Sequence, residues 1–354
     1  MEKNMTTIRT LAFALLALSA AGAAAQDLAG RQGLAQKVAA VVGEDFRIES
    51  DTPGIDLFLR NKHLRDAAPQ PGRILLYVHG ATYPSETAFD LRLDGLSWMD
   101  YIAAHGWDVW LVDLRGYGRS TRPAEMGQPA KDNPPLVTTD VAVRDVASAV
   151  NHILEKRNAA KLSLLGWSWG TSIMATYAAS HADKVDRLVL YAPLWLRTTP
   201  LLIGGDGPLG AYRTVNRESA KKRWLTGVPG DKQAGLIPQG WFEAWAEATW
   251  ATDPLAQTEG FLRAPNGVIQ DVRDYWGSGK PYYDPAGIRA PTLLVKAEWD
   301  QDTPAYMAQA LFPLLKNAPR KRYVEIGEGT HTVIMEKNRM QLFRTVQEFL
   351  DEPD

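Results

Sequence analysis

The 354-residue chain contains no cysteine. That removes a thiol nucleophile, a Cys-based zinc site, disulfide bracing and lipidation at cysteine from consideration. Charge of one sign is also missing. The formal net charge is −2, and neither sign forms a block of five or more, so no electrostatic attraction to nucleic acid or an acidic membrane surface is expected. The densest basic cluster, Lys221-Lys222-Arg223, reads as a solvated helix face. Long apolar runs are scarce. The longest, Leu11–Leu18, is too short for a bilayer, which needs about 20 residues, so no stable membrane insertion is expected. No His/Asp/Glu cluster has metal-ligand spacing, and Gly205-Asp206-Gly207-Pro208-Leu209-Gly210 fits a dinucleotide fingerprint only formally, because Pro208 spoils the helix start. No cofactor or metal is expected.

What is present at the start reads as an export signal. Lys3 and Arg9 precede the Leu11–Leu18 run, and Ala23-Ala24-Ala25 offers small residues for cleavage before Gln26. Residues 1–25 are therefore expected to be a signal peptide, with the mature protein periplasmic or secreted. The remaining composition, 45% apolar and 23% charged overall, suits a globular protein with a sizeable core.

After a helix expected around Leu34–Val42, Phe46–Ser50 and Ile55–Asn61 flank a Pro-Gly turn and read as a hairpin. Short apolar runs then alternate with helical patterns. Strands are expected at Arg73–Val78, Asp108–Val112, Lys161–Leu165, Arg187–Tyr191, Thr292–Lys296 and Lys321–Ile326. Helices are expected at Ser97–His105, Thr139–Arg157, Thr171–His181, Pro304–Leu315 and Glu336–Leu350. Such alternation is the signature of a mostly parallel sheet covered on both faces. From Trp195 to Asp284 the rhythm stops. No convincing buried strand occurs there, while six tryptophans do, so a helical insertion is expected: a cap at 195–284, with the core at 26–194 and 285–354.

Chemistry concentrates at Gly166-Trp167-Ser168-Trp169-Gly170, between an expected strand and an expected helix. This junction places a serine on a tight turn at a helix N-terminus, where developing negative charge is favoured. A serine hydroxyl needs a base. Of the six histidines, His331, in the loop after the last strand, is the candidate. Asp300, on the loop after Thr292–Lys296, is the candidate for orienting it, with Asp302 and Glu298 as rivals; Asp302 reads better as a solvent-side residue near a helix start. The oxyanion of acyl transfer needs preorganised N–H donors. Trp169 N–H and, from His79-Gly80-Ala81-Thr82, Ala81 N–H are expected, with Thr82 as fallback. His79 reads as shaping that loop, and Trp167, Trp195, Trp241 and Trp245, with His79, are candidate substrate contacts.

Val78-His79-Gly80, Asp113–Ser120, Gly166–Gly170, Glu298-Trp299-Asp300 with Thr303-Pro304, and Gly329-Thr330-His331 together resemble, in order, the landmarks of capped α/β-hydrolases from about Phe46 to Leu350. The resemblance implies an eight-stranded sheet with a cap after the sixth strand, and it gives the Asp113–Ser120 block a structural role only. Serine at position 168 departs from haloalkane dehalogenases and most epoxide hydrolases, which carry aspartate there. A carboxylesterase acting on a small ester with an apolar or aromatic group is the leading expectation. The alternative is an aminopeptidase or amidase, because Gly-Trp-Ser-Trp-Gly also resembles proline iminopeptidases; Glu243, Glu247 and Asp253 would then hold a free amine. A non-catalytic binding protein on the same scaffold is the third reading.

Overall fold

The computed structural model describes residues 30, 32–204 and 207–353. The expected signal peptide and its cleavage site, and part of the Gly205–Gly210 motif, lie outside the described residues.

The first described helix, α1, covers residues 32–39 and stops short of the expected Val42. Val41 and Val42 instead open strand β1 (Val41–Glu49), which pairs antiparallel with β2 (Asp56–Leu64) around the Pro-Gly turn. β-branched residues favour the pleated conformation over continued helix. The other sheet strands are β3 (Ile74–Val78), β4 (Asp108–Asp113), β5 (Leu162–Trp167), β6 (Val185–Tyr191), β9 (Thr292–Ala297) and β10 (Lys321–Ile326). They form one eight-stranded sheet in the order β1-β2-β4-β3-β5-β6-β9-β10. From β4 through β10 every pairing is parallel.

The central strands are apolar on both faces because helices cover both. Ile74, Leu76 and Val78 join a core with α4 (Thr139–Arg157) and α5 (Trp169–Ser180), through residues such as Val146 and Ile173. Leu75 and Tyr77 point the other way, toward α3 (Trp98–Ala104) and α10 (Arg339–Asp351), through Ile102 and Phe343. The alternation follows from the two-residue period of a strand. One helix, α2 (Ser85–Phe89), has no counterpart among the sequence-based expectations.

Between β6 and β9 the chain leaves the sheet. Helices α6 (Arg217–Trp224), α7 (Trp241–Trp250), α8 (Ala256–Glu259) and α9 (Gly267–Asp274) occur there. The interval is not purely helical as expected: β7 (Tyr212–Val215) pairs antiparallel with β8 (Leu262–Pro265). Each is only four residues long and 46 residues, 216–261, separate them in sequence, so no local alternation or turn signal marks them. Trp224, Trp245 and Trp250 pack edge to face, at centroid separations of 5.1 and 6.0 Å, while Trp195 packs on Tyr283.

Candidate active site

Ser168 directly follows β5 and caps α5 with φ 56° and ψ −119°. A non-glycine residue there carries strain of about 1–3 kcal/mol, held in place by the Ser168 N–H bond to Tyr191 O, 2.9 Å. The turn is this tight because strand and helix nearly touch. A Cβ on Gly166 would lie 2.2 Å from Gly170 O, which no side chain tolerates. Since α5 begins at Trp169, the Trp169 amide is a first-turn donor without an intrahelical carbonyl.

His331 follows β10 and is buried. Its carbonyl accepts from Trp167 Nε1 (3.1 Å) and Tyr191 Oη (2.8 Å), which pins the loop to the strand bearing Ser168 and its neighbour. Its Nδ1 lies 2.8 Å from Asp300 Oδ2. The same carboxylate accepts the Thr303 amide (2.9 Å) and hydroxyl (2.7 Å), so its orientation is set from within its own turn. Nδ1–H donating to Asp300 leaves Nε2 unprotonated and able to accept a proton. Burial works against an imidazolium here, but the facing Asp300 and Asp302 carboxylates outweigh it and raise the His331 pKa.

Asp302 differs from the expectation of a solvent-side residue. Its side chain is 10% exposed and forms an ion pair with Arg223, Oδ1 to Nη2 2.8 Å. Burial opposes its charge, yet the guanidinium prevails and holds its carboxyl below the usual range. Arg223 likewise departs from the solvated face expected for Lys221-Lys222-Arg223: it turns inward while the two lysines stay exposed. One donor atom from each of Asp300, Asp302 and His331 lies within 4.8 Å of the others. Asp300 is already committed to His331 and Thr303 and Asp302 to a cation, so the trio is a poor fit to a metal. Glu298 is exposed and accepts the Glu328 amide (2.9 Å).

The loop after β3 faces Ser168: a Cβ on Gly80 would sit 3.1 Å from Ser168 Cβ. His79 is fully buried. Its Nε2 accepts the Leu114 N–H (3.2 Å), so Nδ1 carries the proton and donates to Gly80 O (2.7 Å). Burial takes its pKa down to about 4. That neutral ring fixes the Gly80–Ala81 peptide, whose N–H is the expected oxyanion donor. The Asp113–Ser120 block adds Tyr117, whose hydroxyl donates to Ala81 O (2.9 Å).

These groups surround one cavity that is open to solvent. Ser168, His331, Ala81, Thr82, Trp167 and Trp245 line it, joined by Tyr83, Ala220, Arg223, Trp224 and Asp302. Three expected substrate contacts sit elsewhere. His79 lies behind the loop, Trp195 packs on Tyr283, and Trp241 stacks on the Arg339 guanidinium at 4.4 Å. Trp224, absent from those expectations, lines the cavity instead. Its indole donates to Glu336 Oε1 (2.8 Å), a buried carboxylate that also accepts the Thr330 amide (3.0 Å) and hydroxyl beside His331.

Residues 74–338 match the family described as alpha/beta hydrolase fold. The chain belongs to that family. Among curated proteins, this α/β-hydrolase is 24% identical over 152 residues to Probable lipase C1672.09 of Schizosaccharomyces pombe, a match covering 42% of this chain and 30% of that protein. The chain thus matches less than a third of that relative's length. Solved structures of the same fold include a membrane phospholipase A described as a bacterial virulence factor (TM-score 0.56, 20% identity, 96% and 97% of the two chains). Another is 2-hydroxy-6-oxo-6-phenylhexa-2,4-dienoate hydrolase from Rhodococcus sp. strain RHA1 (TM-score 0.59, 13% identity, 88% and 100%). A third is a serine hydrolase involved in carbazole degradation (TM-score 0.57, 17%, 87% and 99%).

Several residues of this hydrolase's site carried no sequence signal. Arg223 is the last member of a basic run on a short helix, and nothing in the local pattern separates it from Lys221 and Lys222. Glu336 was expected only as the start of a helix. Arg213, on β7, reaches the loop after β3: its Nη2 donates to Ala81 O (2.6 Å) and Thr82 Oγ1 (2.9 Å).

Proposed function

We propose that the protein is an exported serine hydrolase that cleaves carboxylic esters with an apolar or aromatic group. One observation carries this reading: Ser168, on its strained turn, shares a cavity with His331, whose Nδ1 is held by Asp300 at 2.8 Å. His331 Nε2 takes the Ser168 proton as Oγ attacks the ester carbonyl. The Trp169 and Ala81 amides stabilise the tetrahedral oxyanion. His331 then protonates the departing alcohol, leaving an acyl-Ser168, and the same base activates the water that releases the acid.

The aromatic wall of Trp167, Trp224, Trp245 and Tyr83 supports an apolar substituent. The lipase and phospholipase names of two relatives agree with ester chemistry. An aminopeptidase would need unpaired acids in the cavity to hold an amine. Glu243 and Glu247 are exposed, and Asp253 is buried against Arg263, Oδ2 to Nε 3.0 Å, which favours the esterase.

The test uses mature protein, a fluorophosphonate probe, aryl esters of graded chain length, and prolyl and alanyl anilides. Labelling and ester turnover are expected in the wild type. Ser168→Ala should lose both, apart from the ~10³–10⁴ advantage over water that binding and the oxyanion donors retain. Unchanged ester turnover in that variant, or anilides preferred over every ester, would defeat the proposal. Export is tested by whether the protein recovered outside the cytoplasm begins at Gln26.

A further inference from the structure

The hydroxyl of Thr82 has an unusual set of neighbours. It is buried at 4% exposure and lines the cavity that holds Ser168. A threonine hydroxyl has two acceptor lone pairs and one proton to donate. Two guanidinium groups approach the oxygen. Arg213 Nη2 donates at 2.9 Å, and Arg223 Nη1 makes a longer contact at 3.4 Å. Guanidinium can only donate, so both lone pairs are engaged by cations and the hydroxyl retains only its proton. Among the described residues that proton has no acceptor. The Thr82 side chain is therefore an O–H donor, polarised by two positive charges, in the wall of the reactive cavity.

Arg213 strengthens the case. It is half-buried, with desolvation lowering its pKa to about 10, and among the described residues no carboxylate forms an ion pair with it. Its bonds go to neutral oxygens: the Ala81 and Pro265 carbonyls at 2.6 Å, the Ala264 carbonyl at 3.4 Å, and the Thr82 hydroxyl. Burying an arginine on uncharged partners is costly. Here its charge is aimed at the loop where the oxyanion forms, a place where positive potential is worth more in the transition state than in the ground state.

We propose that the Thr82 Oγ1–H group is a third oxyanion donor, beside the Ala81 and Trp169 amides, for the carbonyl oxygen of the substrate. The proposal rests on the serine-hydrolase reading of Ser168. As the carbonyl carbon becomes tetrahedral, its oxygen accepts the Thr82 hydroxyl hydrogen; no proton is transferred and no bond of Thr82 breaks. Arg213 is a positioning residue, acting through Thr82 and Ala81.

The experiment compares an aryl ester with its thionoester, whose sulfur is a poor hydrogen-bond acceptor, in wild type, Thr82→Val, Thr82→Ser and Ser168→Ala. Losing one oxyanion donor costs about 10²–10³ in turnover. Thr82→Val should lower kcat for the oxygen ester by about that factor with little change in KM, and should shrink the ester-to-thionoester rate ratio at least about tenfold. Thr82→Ser should keep both values near wild type. Where valine opposite two guanidinium groups prevents folding, Thr82→Ala reads the same ratio. An unchanged ratio in both variants, whether or not the rates fall, would overturn the proposal, because a merely structural defect slows both substrates alike. Activity surviving in Ser168→Ala would instead strike the reading of the nucleophile.

Discussion

Replacing Glu336 by glutamine should change how stability depends on pH, by an amount the structure lets one work out. Glu336 is fully buried. Burial raises its pKa from 4.5 to about 7, and the donors on it, from Thr330 and Trp224, only partly offset that. Below pH 4.5 the group is protonated in both folded and unfolded chains, and above about 7 it is ionised in both. In between, only the folded protein holds the proton, so the contribution is complete at low pH and is lost as pH rises toward 7. At about 1.4 kcal/mol per decade of proton affinity, the loss is about 3 kcal/mol. Asp113 and Asp271, each pushed up to about 6 by burial, tilt the wild-type curve the same way but cancel in a comparison with the variant. A glutamine oxygen can keep the Trp224 and Thr330 hydroxyl bonds, while its NH₂ opposes the Thr330 amide at a nearly pH-independent cost of about 1–3 kcal/mol. Unfolding in guanidinium chloride, followed by tryptophan fluorescence, gives the stability gap at each pH. That gap should favour the wild type near pH 4.5 and narrow by about 3 kcal/mol toward pH 8. A gap that stays constant within about 1 kcal/mol would mean that the buried carboxylate does not titrate as its surroundings dictate.

Two further outcomes separate the neighbouring acids and test the elbow. Asp300→Asn should lower kcat about 10⁴-fold by misdirecting the His331 tautomer. Asp302→Asn should leave most of the rate, but move the acid limb of kcat/KM to lower pH, because it removes one of the carboxylates that raise the His331 pKa and leaves Arg223 facing the ring; equal losses of kcat in the two variants would contradict the assignment. Gly166→Ala would place a Cβ 2.2 Å from Gly170 O, so little soluble folded protein is expected, and a variant with wild-type melting temperature would refute the close approach.

The sheet was legible because its strands are short, apolar on both faces and spaced by amphipathic helices. The Thr139–Arg157 helix matches its expected span residue for residue. Asp300 and His331 were accessible too, since each follows a readable strand and the loops leave at one edge. Asp302 and Arg223 were not. A carboxylate before a helix and an arginine in a basic run both look solvated until tertiary structure sets them against each other from 79 residues apart. The same holds for β7 and β8, whose partners are too far apart in sequence for any local pattern to reveal, and for Trp241, where helical spacing could not show which side of α7 meets the cavity.

The contacts of Arg213 and Arg223 with the loop after β3 bear on how such a protein can be altered. Both arginines come from the stretch between β6 and β9, yet they grip Ala81 and Thr82 in the other part of the chain. That stretch is therefore not a detachable module. Shortening it, or grafting one from a relative to change substrate preference, would also strip two cations from the loop beside Ser168, and any such chimera has to supply equivalents before its new pocket can be judged.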